Sequence, residues 1–110
     1  MYHIDITQPA ENDMIEAARY IAEQLLNPSA AVRLLDDAEA AIFSLGDMPE
    51  RHALVNDETL ADLGIRFMPV GNYLVFYVVR ESVKKVVIQR FLYGRRDWLT
   101  ILKDDVEQQE

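Results

Sequence analysis

Cationic and phenolic side chains after residue 64 are the groups in this chain best suited to binding or chemistry. Four arginines and one tyrosine make up the set: Arg66, Arg90, Tyr93, Arg95 and Arg96. A planar guanidinium group binds a phosphate or a carboxylate through two parallel hydrogen bonds. A tyrosine beside an arginine can contact a phosphate or donate a proton. The pattern predicts that the four arginines line one concave cationic patch.

A purely structural interpretation competes with this one for each arginine. An arginine on a strand is commonly solvated, and Arg95 or Arg96 can pair with Asp97 at a turn. Arg90 either sits on an open sheet face or pairs with a carboxylate at a sheet edge. Both interpretations stay open at the level of the sequence.

Acidic and basic residues are unevenly distributed along the chain, and the bases concentrate in the segment that holds these arginines. The net charge is -8, but residues 1–62 hold 13 acids and 3 bases, while residues 63–103 hold 2 acids and 8 bases. These segments carry -10 and +6, and the tail 104–110 adds -4. Net acidity argues against a general nucleic-acid-binding protein. A local basic surface remains compatible with it, because screening limits exposed charges to about 8 Å at physiological salt.

Several classes of site are excluded by composition. There is no cysteine, so disulfides and thiolate metal sites are ruled out. His3 and His52 are far apart in sequence and match no metal-ligand spacing, and no P-loop or nucleophile elbow occurs. No cofactor or metal is expected. Neither a signal peptide nor a membrane-spanning run is visible, so the predicted location is the cytoplasm.

The N-terminal elements that position these groups follow from periodicity. Residues 2–7 alternate as a half-buried strand. A helix follows from Pro9, capped by Thr7 or Gln8, and places a stripe of Met14, Ala18, Ile21 and Leu25 toward the core. Asn27 and Pro28 end it and start a second helix, which closes an antiparallel helical hairpin.

The C-terminal half reads as three strands and a closing helical turn. The strands are predicted at Ile65–Pro69, Tyr73–Arg80 and Lys85–Tyr93, after an irregular stretch with a helical turn near 58–63. Trp98, with two apolar residues after it, indicates a last turn packed on the sheet. Residues 1–104 are predicted to form a single domain, and 105–110 a frayed acidic tail.

The predicted fold is α+β with the order β-α-α-β-β-β(-α). The N-terminal helical hairpin packs on one face of a mostly antiparallel four-stranded sheet. The other face of the sheet is then expected to be open and functional. Strict alternation on the last strand puts Ile88, Arg90 and Leu92 on one face and Val87, Gln89 and Phe91 on the other. Both faces have apolar residues, so the alternation does not say which one is buried.

In order and spacing, the chain resembles the RelE/ParE toxin superfamily over nearly its whole length. The residues that carry the resemblance are Pro9-Ala10, Asp13, Tyr20-Ile21-Ala22, Asn27-Pro28-Ser29-Ala30-Ala31, Ser44-Leu45, Met48-Pro49-Glu50, Ile65-Arg66, Val70-Gly71-Asn72-Tyr73, Tyr77 and Tyr93-Gly94-Arg95-Arg96-Asp97. The resemblance implies the fold predicted above. It also implies the toxin of a type II toxin–antitoxin module, also named a plasmid stabilization protein.

Two branches of that superfamily differ in target. RelE-like members cleave mRNA on the ribosome and resemble one another in an arginine after the tyrosine of the Gly-x-Tyr strand and in a late tyrosine or histidine. Here Leu74 follows Tyr73, and neither residue type follows Tyr93. The resemblance therefore favours a ParE-like inhibitor of DNA gyrase that is not an enzyme.

The alternatives are a RelE-like nuclease or a retooled, non-toxic homologue. As a nuclease, the chain would use Arg66, Arg90 and Arg95 as phosphate clamps and Tyr93 as proton donor. As a ParE-like toxin, it is expected to bind a cognate antitoxin whose carboxylates face Arg66, Arg90, Arg95 and Arg96. A homodimer or a toxin–antitoxin hetero-oligomer is compatible with either branch.

Overall fold

A four-stranded mixed sheet is the centre of the molecule in the computed structural model, which describes residues 1–108. Its strands are β1 His3–Ile6, β2 Arg66–Val70, β3 Tyr73–Arg80 and β4 Lys85–Tyr93. Their order across the sheet is β1-β4-β3-β2, with β1 parallel to β4 and the other pairs antiparallel. The predicted α+β fold with a mostly antiparallel sheet is confirmed.

Two helices in the N-terminal half pack on one face of this sheet. Helix α1 spans Gln8–Arg19, and the Thr7 hydroxyl accepts a hydrogen bond from a backbone N–H of its first turn. Helix α2 spans Pro28–Ser44, and the Asn27 side chain caps it in the same way. Both caps agree with the sequence, because short polar side chains satisfy N–H groups that the first helical turn leaves free.

Four further helical segments lie in the part of the chain after α2. They are the 3₁₀ turns Pro49–Arg51 and Glu81–Val83, helix α3 Glu58–Asp62 and helix α4 Trp98–Gln108. The helical turn predicted near 58–63 is therefore present. Within residues 1–108, no helix is both long enough and apolar enough to cross a membrane.

Helix α4 corrects the prediction for the C-terminus. Residues 105–108 continue the helix, whereas a frayed tail was expected from 105; residues 109 and 110 lie outside the described part of the chain. The acidic residues suggested a solvated tail, but Val106 extends the apolar stripe of Trp98 and Leu102 at four-residue spacing. Burial of that stripe holds the last turns on the sheet.

Both faces of the sheet are covered, so the expectation of one open face is wrong. On the hairpin face, α1 and α2 bury side chains such as Val75, Tyr77 and Ile88. On the opposite face, α3 and α4 bury Phe76, Leu92 and their neighbours. The cause is visible in the sequence, since β3 is apolar at nearly every position and such a strand is usually buried on both sides.

A β-bulge changes the faces of β4. Phe76 lies opposite Arg90 and Tyr77 lies opposite Ile88, so Gln89 is an extra residue in β4. The bulge puts Ile88 and Phe91 together on the hairpin face, although alternation had separated them. Since a bulge shifts every later side chain to the other face, the period-two prediction fails beyond Ile88.

Candidate functional site

The four arginines do not share one surface. Arg66 begins β2 at one edge of the sheet, on the face of Met68 and Tyr77. Arg90 lies in β4, which is separated from β2 by β3. Arg95 and Arg96 follow the end of β4. The single concave patch predicted from the sequence is therefore replaced by three separate settings.

Arg90 is the centre of a network of ion pairs. Its Nε and Nη2 atoms donate to the two oxygens of Asp13 at 2.7 and 2.9 Å, and its Nη1 donates to Asp105 at 3.1 and 3.2 Å. Asp13 also accepts the backbone N–H of Phe91 at 3.0 Å. Hydrogen bonds to Asp13, and then to Asp105, raise the pKa of Arg90. We call these three side chains, Asp13, Arg90 and Asp105, the arginine bracket.

The position of the bracket explains its form. Strand β1 pairs with β4 only as far as Ile88, so the backbone of Phe91 has no strand on that side. Asp13 of α1 takes the place of the missing strand by accepting the free N–H. Arg90 then joins α1 on one face to α4 on the other. The role of the bracket is therefore structural, because all three nitrogens of the guanidinium group donate to the carboxylates of Asp13 and Asp105.

Arg66 supports the loop between α2 and β2. Its Nη1 donates to the carbonyl oxygens of His52 at 2.7 Å and Glu50 at 3.3 Å, and its Nη2 lies 3.6 Å from the Glu50 carboxylate. The buried Tyr77 hydroxyl donates to the Pro49 carbonyl at 2.6 Å. These contacts fix residues 49–52 over the hairpin face. Arg66 is thus largely occupied by backbone carbonyl groups.

Arg95 and Arg96 have a different environment, since both are exposed. Within residues 1–108 neither side chain takes part in an ion pair. The Asp97 carboxylate, a possible partner, instead accepts the backbone N–H and the hydroxyl of Thr100 at 3.3 and 2.9 Å. It therefore caps the first turn of α4. Two cations are left at the surface beside the end of the sheet.

A tight backbone contact fixes this turn. The Gly94 N–H donates to the Asn72 carbonyl at 2.8 Å, so the end of β4 is tied to the β2–β3 turn. A Cβ atom at Gly94 would come within 3.2 Å of the same oxygen. A residue with a side chain at this position would push the two turns apart. Glycine therefore sets the position from which Arg95 and Arg96 project.

A cleft of about 540 Å³ opens beside these arginines, between α1 and the end of the sheet. Its lining residues are Asp13, Glu16, Ala17, Tyr20, Ile21, Leu25, Asn72, Tyr73, Phe91, Tyr93 and Arg96. We call it the hairpin cleft, because the end of the helical hairpin forms one wall. It brings together two of the residues singled out in the sequence, Tyr93 and Arg96.

Aromatic rings form the floor of the hairpin cleft. Tyr73 stacks on Phe91 with ring centroids 5.0 Å apart, and its edge meets Tyr93 at 5.6 Å. Burial, followed by the nearby phenols of Tyr93 and Tyr20, raises the pKa of Tyr73. The floor is suited to apolar and stacking contacts.

The other wall depends on a π-helical turn at Tyr20–Gln24. The Leu25 N–H donates to the carbonyl of Tyr20 five residues earlier, at 3.2 Å. The wider turn breaks the 3.6-residue period, so Leu25 is 57% exposed instead of joining the buried stripe predicted for it. Leu26 follows in a left-handed conformation with φ 52° and is 82% exposed. Single π-helical turns are rare and occur frequently at functional sites.

Several of these residues escaped sequence reasoning for physical reasons. Asp13 is 77 positions from Arg90, and nothing in the local pattern joins them. Leu25 fits the apolar helical stripe predicted for this helix, so only the π-turn reveals that it faces outward. Among residues 1–108, no three His, Asp or Glu side chains come together as a metal-binding group.

Comparison with known families agrees with this architecture. The family model described as ParE toxin of type II toxin-antitoxin system, parDE, matches residues 4–98, which is most of the chain. The chain belongs to the ParE toxin family. The resemblance stated from the sequence is thereby confirmed. A search of curated proteins finds no match.

Solved structures with this fold include chains from the toxin–antitoxin systems of two bacteria. One is a chromosomal ParDE toxin–antitoxin system from P. aeruginosa, with TM-score 0.69 and 18% identity, covering 84% of this chain and 96% of the other. Another is the RelBE2 toxin–antitoxin complex from Mycobacterium tuberculosis, with TM-score 0.57 and 22% identity, covering 84% and 90%. At 18% and 22% identity, these similarities show that the folds are alike and nothing more.

Proposed function

We propose that this ParE-family chain inhibits DNA gyrase by binding, without nuclease chemistry, and that a cognate antitoxin neutralises it in the cytoplasm. The main observation in support is the state of the arginines. Cleavage of RNA requires cations free to stabilise a developing phosphorane charge and groups free to move protons. Arg90 is engaged by two carboxylates and Arg66 by carbonyl groups, so two of the three candidate phosphate clamps are occupied.

The remaining members of the candidate nuclease set support the same proposal. Tyr93 belongs to the aromatic floor of the hairpin cleft, and Arg95 projects from the turn after it. Tyr93 shares a sheet face with Arg66, but Tyr93 lies opposite Tyr73 at one end of β3, whereas Arg66 lies opposite Tyr77 four residues further along and on the other side of β3. The four residues therefore do not converge on one phosphate. A protein that acts by occupying a surface of its target needs no such convergence. The antitoxin is inferred from family membership and from the toxin–antitoxin complexes with the same fold.

Two measurements test the proposal. Purified full-length protein is added to a supercoiling assay with gyrase, where inhibition is expected at a concentration stoichiometric with the enzyme. In parallel, the chain is expressed alone in bacteria, where DNA damage and filamentous growth with intact mRNA are expected. Cleavage of translated mRNA within codons, with normal supercoiling, would replace the proposal by the RelE-like nuclease. Normal growth with abundant folded protein would indicate a non-toxic homologue.

A further inference from the structure

Two basic residues face each other across the sheet without an acid between them. Arg80 at the end of β3 lies directly opposite Lys85 at the start of β4, and His3 of β1 lies on the other side of Lys85. All three are exposed, and none takes part in an ion pair among residues 1–108. Like charges directly opposite each other on neighbouring strands destabilise a sheet, so the fold gains nothing from them. We call Arg80 and Lys85 the cationic pair.

The acids that neighbour the cationic pair in sequence or in strand register do not neutralise it. Glu81 forms its ion pair with Lys84 and also accepts a hydrogen bond from the Tyr2 hydroxyl. Asp5 lies two residues along β1 from His3, on the same face, and forms no ion pair within the described range 1–108. Both charges of the pair are therefore available to an anion that the chain itself does not supply.

A groove of about 720 Å³ adjoins Arg80 on the sheet face that α4 covers. Val78 and Val87 lie opposite each other on neighbouring strands and form its floor, two residues along from the cationic pair. Leu63 at the end of α3 and Val106 of α4 line its sides. We call this space the α4 groove. It lies on the other face of the sheet from α1 and α2, and at the other end of β3 from the hairpin cleft.

The charges in the α4 groove restrict what it can bind. Its charged lining residues are Arg80 and Asp105, and Asp105 is already paired with Arg90. Arg80 is therefore the charge left for a ligand, and a guanidinium group binds a carboxylate through two parallel hydrogen bonds. Beside that contact, the floor offers aliphatic surface. The groove is suited to a segment that carries an apolar side chain next to acidic ones.

A protein segment fits this combination better than a nucleic acid does. Sites for single strands stack bases on aromatic rings, and none of the residues that line the α4 groove is aromatic. Affinity for a duplex grows with the number of phosphates that are neutralised. The cationic pair supplies two charges on a chain with a net charge of -8, which is a poor basis for such affinity.

We propose that the cationic pair and the α4 groove together form a surface that contacts gyrase. The gyrase segment that binds here carries a large apolar side chain, which lies over Val78 and Val87, and carboxylates that pair with Arg80 and Lys85. This inference rests on the proposed function and adds the contact surface and the chemistry of the segment. It explains why two like charges lie opposite each other although they destabilise the sheet. The hairpin cleft takes no part in this contact.

The first test removes the cationic pair in the full-length chain. The double variant Arg80→Gln, Lys85→Gln is expected to bind purified gyrase holoenzyme about tenfold more weakly in biolayer interferometry, with a smaller dependence on salt. The control Arg19→Gln, Arg33→Gln makes the same change in net charge at exposed positions of α1 and α2. It should bind within about twofold of the wild type. Equal losses in the two double variants would overturn the contact, because only net charge would then matter.

Urea denaturation of the same variants distinguishes a binding role from a structural one. Because the opposed charges of Arg80 and Lys85 repel each other, their removal is expected to leave the urea midpoint unchanged or to raise it. Weaker binding to gyrase without a loss of stability supports the proposal. A midpoint clearly below that of the wild type would show that the cationic pair stabilises the sheet, and the proposal would be overturned.

The second test concerns the apolar side of the α4 groove. Leu63 lines the groove and is 52% exposed, so Leu63→Glu changes its wall without opening the core. Binding to gyrase is expected to weaken about tenfold, since the new carboxylate repels an acidic segment and the apolar contact is lost. Val32→Glu is the matched control, because Val32 is 59% exposed on α2, far from the groove in sequence. Circular dichroism verifies that both variants are folded. Unchanged binding by Leu63→Glu would overturn the groove.

Three outcomes separate failure of this inference from failure of the proposed function. If the wild-type chain does not bind gyrase at all, the proposed function is overturned. If the wild type binds gyrase and every variant binds equally well, only the surface is overturned. A short DNA duplex without gyrase is the third probe. If the wild type binds this duplex and Arg80→Gln, Lys85→Gln does not, the surface belongs to a nucleic-acid site and the protein segment is rejected.

Discussion

Arg90 and Arg96 are six residues apart near the end of the same strand, yet their environments are opposite. The Arg90 side chain is 17% exposed and bonded to two carboxylates, whereas Arg96 is exposed beside an apolar cleft. The difference does not lie in the residue type or in the local sequence. It lies in Asp13 and Asp105, which two helices bring to one of the arginines and not to the other. The fold, rather than the charge, decides which cation is structural.

The energetic consequences of the two arginines are expected to differ as well. A buried ion pair contributes little net stability, because desolvation offsets the attraction, but removal of one partner leaves an uncompensated charge. An exposed arginine without a partner can be replaced at almost no cost in stability. Substitutions in the arginine bracket should therefore affect folding, and substitutions at Arg96 should affect binding. The predictions below test that division.

The largest effect is expected for Asp13→Asn. The substitution keeps the shape of the side chain but removes the charge that faces Arg90 and weakens acceptance of the Phe91 N–H. The free energy of unfolding should fall by about 3 kcal/mol, as for a broken buried pair. Urea denaturation measures it, with Asp37→Asn on the exposed side of α2 as control. A loss below about 1 kcal/mol would show that the bracket is not a structural centre.

A smaller effect is expected for Tyr77→Phe, which extends the comparison to Arg66. The hydroxyl holds the Pro49 carbonyl in the loop that Arg66 also supports. Its removal leaves a buried acceptor unpaired and should cost about 1 to 2 kcal/mol. Tyr93→Phe is the control, because Tyr93 is 40% exposed and its hydroxyl makes no hydrogen bond within residues 1–108. Equal effects in urea denaturation would mean that the loop contact contributes nothing.

Asp105→Asn tests whether the two sides of the bracket are equivalent. The side chain of Asp105 is 37% exposed, compared with 7% for Asp13, so water screens its pair with Arg90. The expected loss is about 0.5 to 1 kcal/mol, near the upper end for exposed pairs. A loss as large as that of Asp13→Asn would show that anchoring of α4 matters as much as anchoring of α1. Urea denaturation at low and moderate salt distinguishes these outcomes.

The sequence predicted the parts of the fold that depend on local pattern. Asn27 caps α2 as expected, and Thr7, one of the two candidates with Gln8, caps α1, since capping requires only a short polar side chain in the right place. The strand bounds of β3 and β4 agree with the apolar runs. The β-bulge at Gln89 and the π-turn at Tyr20–Gln24 were not predicted, because each inserts one residue without a distinctive composition.

The site was less predictable than the fold. The sequence shows where the arginines are but not which of them form ion pairs. Arg90 is paired with Asp13 and Asp105, which lie 77 and 15 positions away in the sequence. The sequence predicts that the apolar wall of the hairpin cleft belongs to the core, because the spacing of its apolar residues matches a regular helix up to the π-turn. Such errors are expected wherever a tertiary contact overrides a local period. The cleft could be found only once α1 and the end of β4 were placed side by side.

A pH dependence is expected from His52 in the loop beside Arg66. Burial, and then the charge of Arg51, lowers the pKa of His52 below its ordinary value of 6.5. The unfolded chain therefore takes up the proton first as the pH falls. The resulting stability is complete above about pH 6.5 and decreases as the pH drops below that value.

The comparison of wild type with His52→Gln isolates this contribution, since the two proteins share every other titratable group. Urea midpoints are measured at pH 7.5 and 5.5, above the range in which most carboxylates titrate. The wild-type midpoint should fall more over this interval than that of the variant. Equal decreases would mean that protonation of His52 is not resisted by the fold.

The smallest effect on stability is expected for Arg96→Ala, and it is the most informative one for function. Arg96 has no ion pair among residues 1–108, so its removal should change the free energy of unfolding by less than about 0.5 kcal/mol. A protein that keeps an exposed arginine beside exposed apolar residues gains nothing from it in the folded monomer. If urea denaturation instead shows a loss comparable to that of Asp13→Asn, then Arg96 is a structural residue like Arg90. The division between a folding arginine and a binding arginine would then disappear.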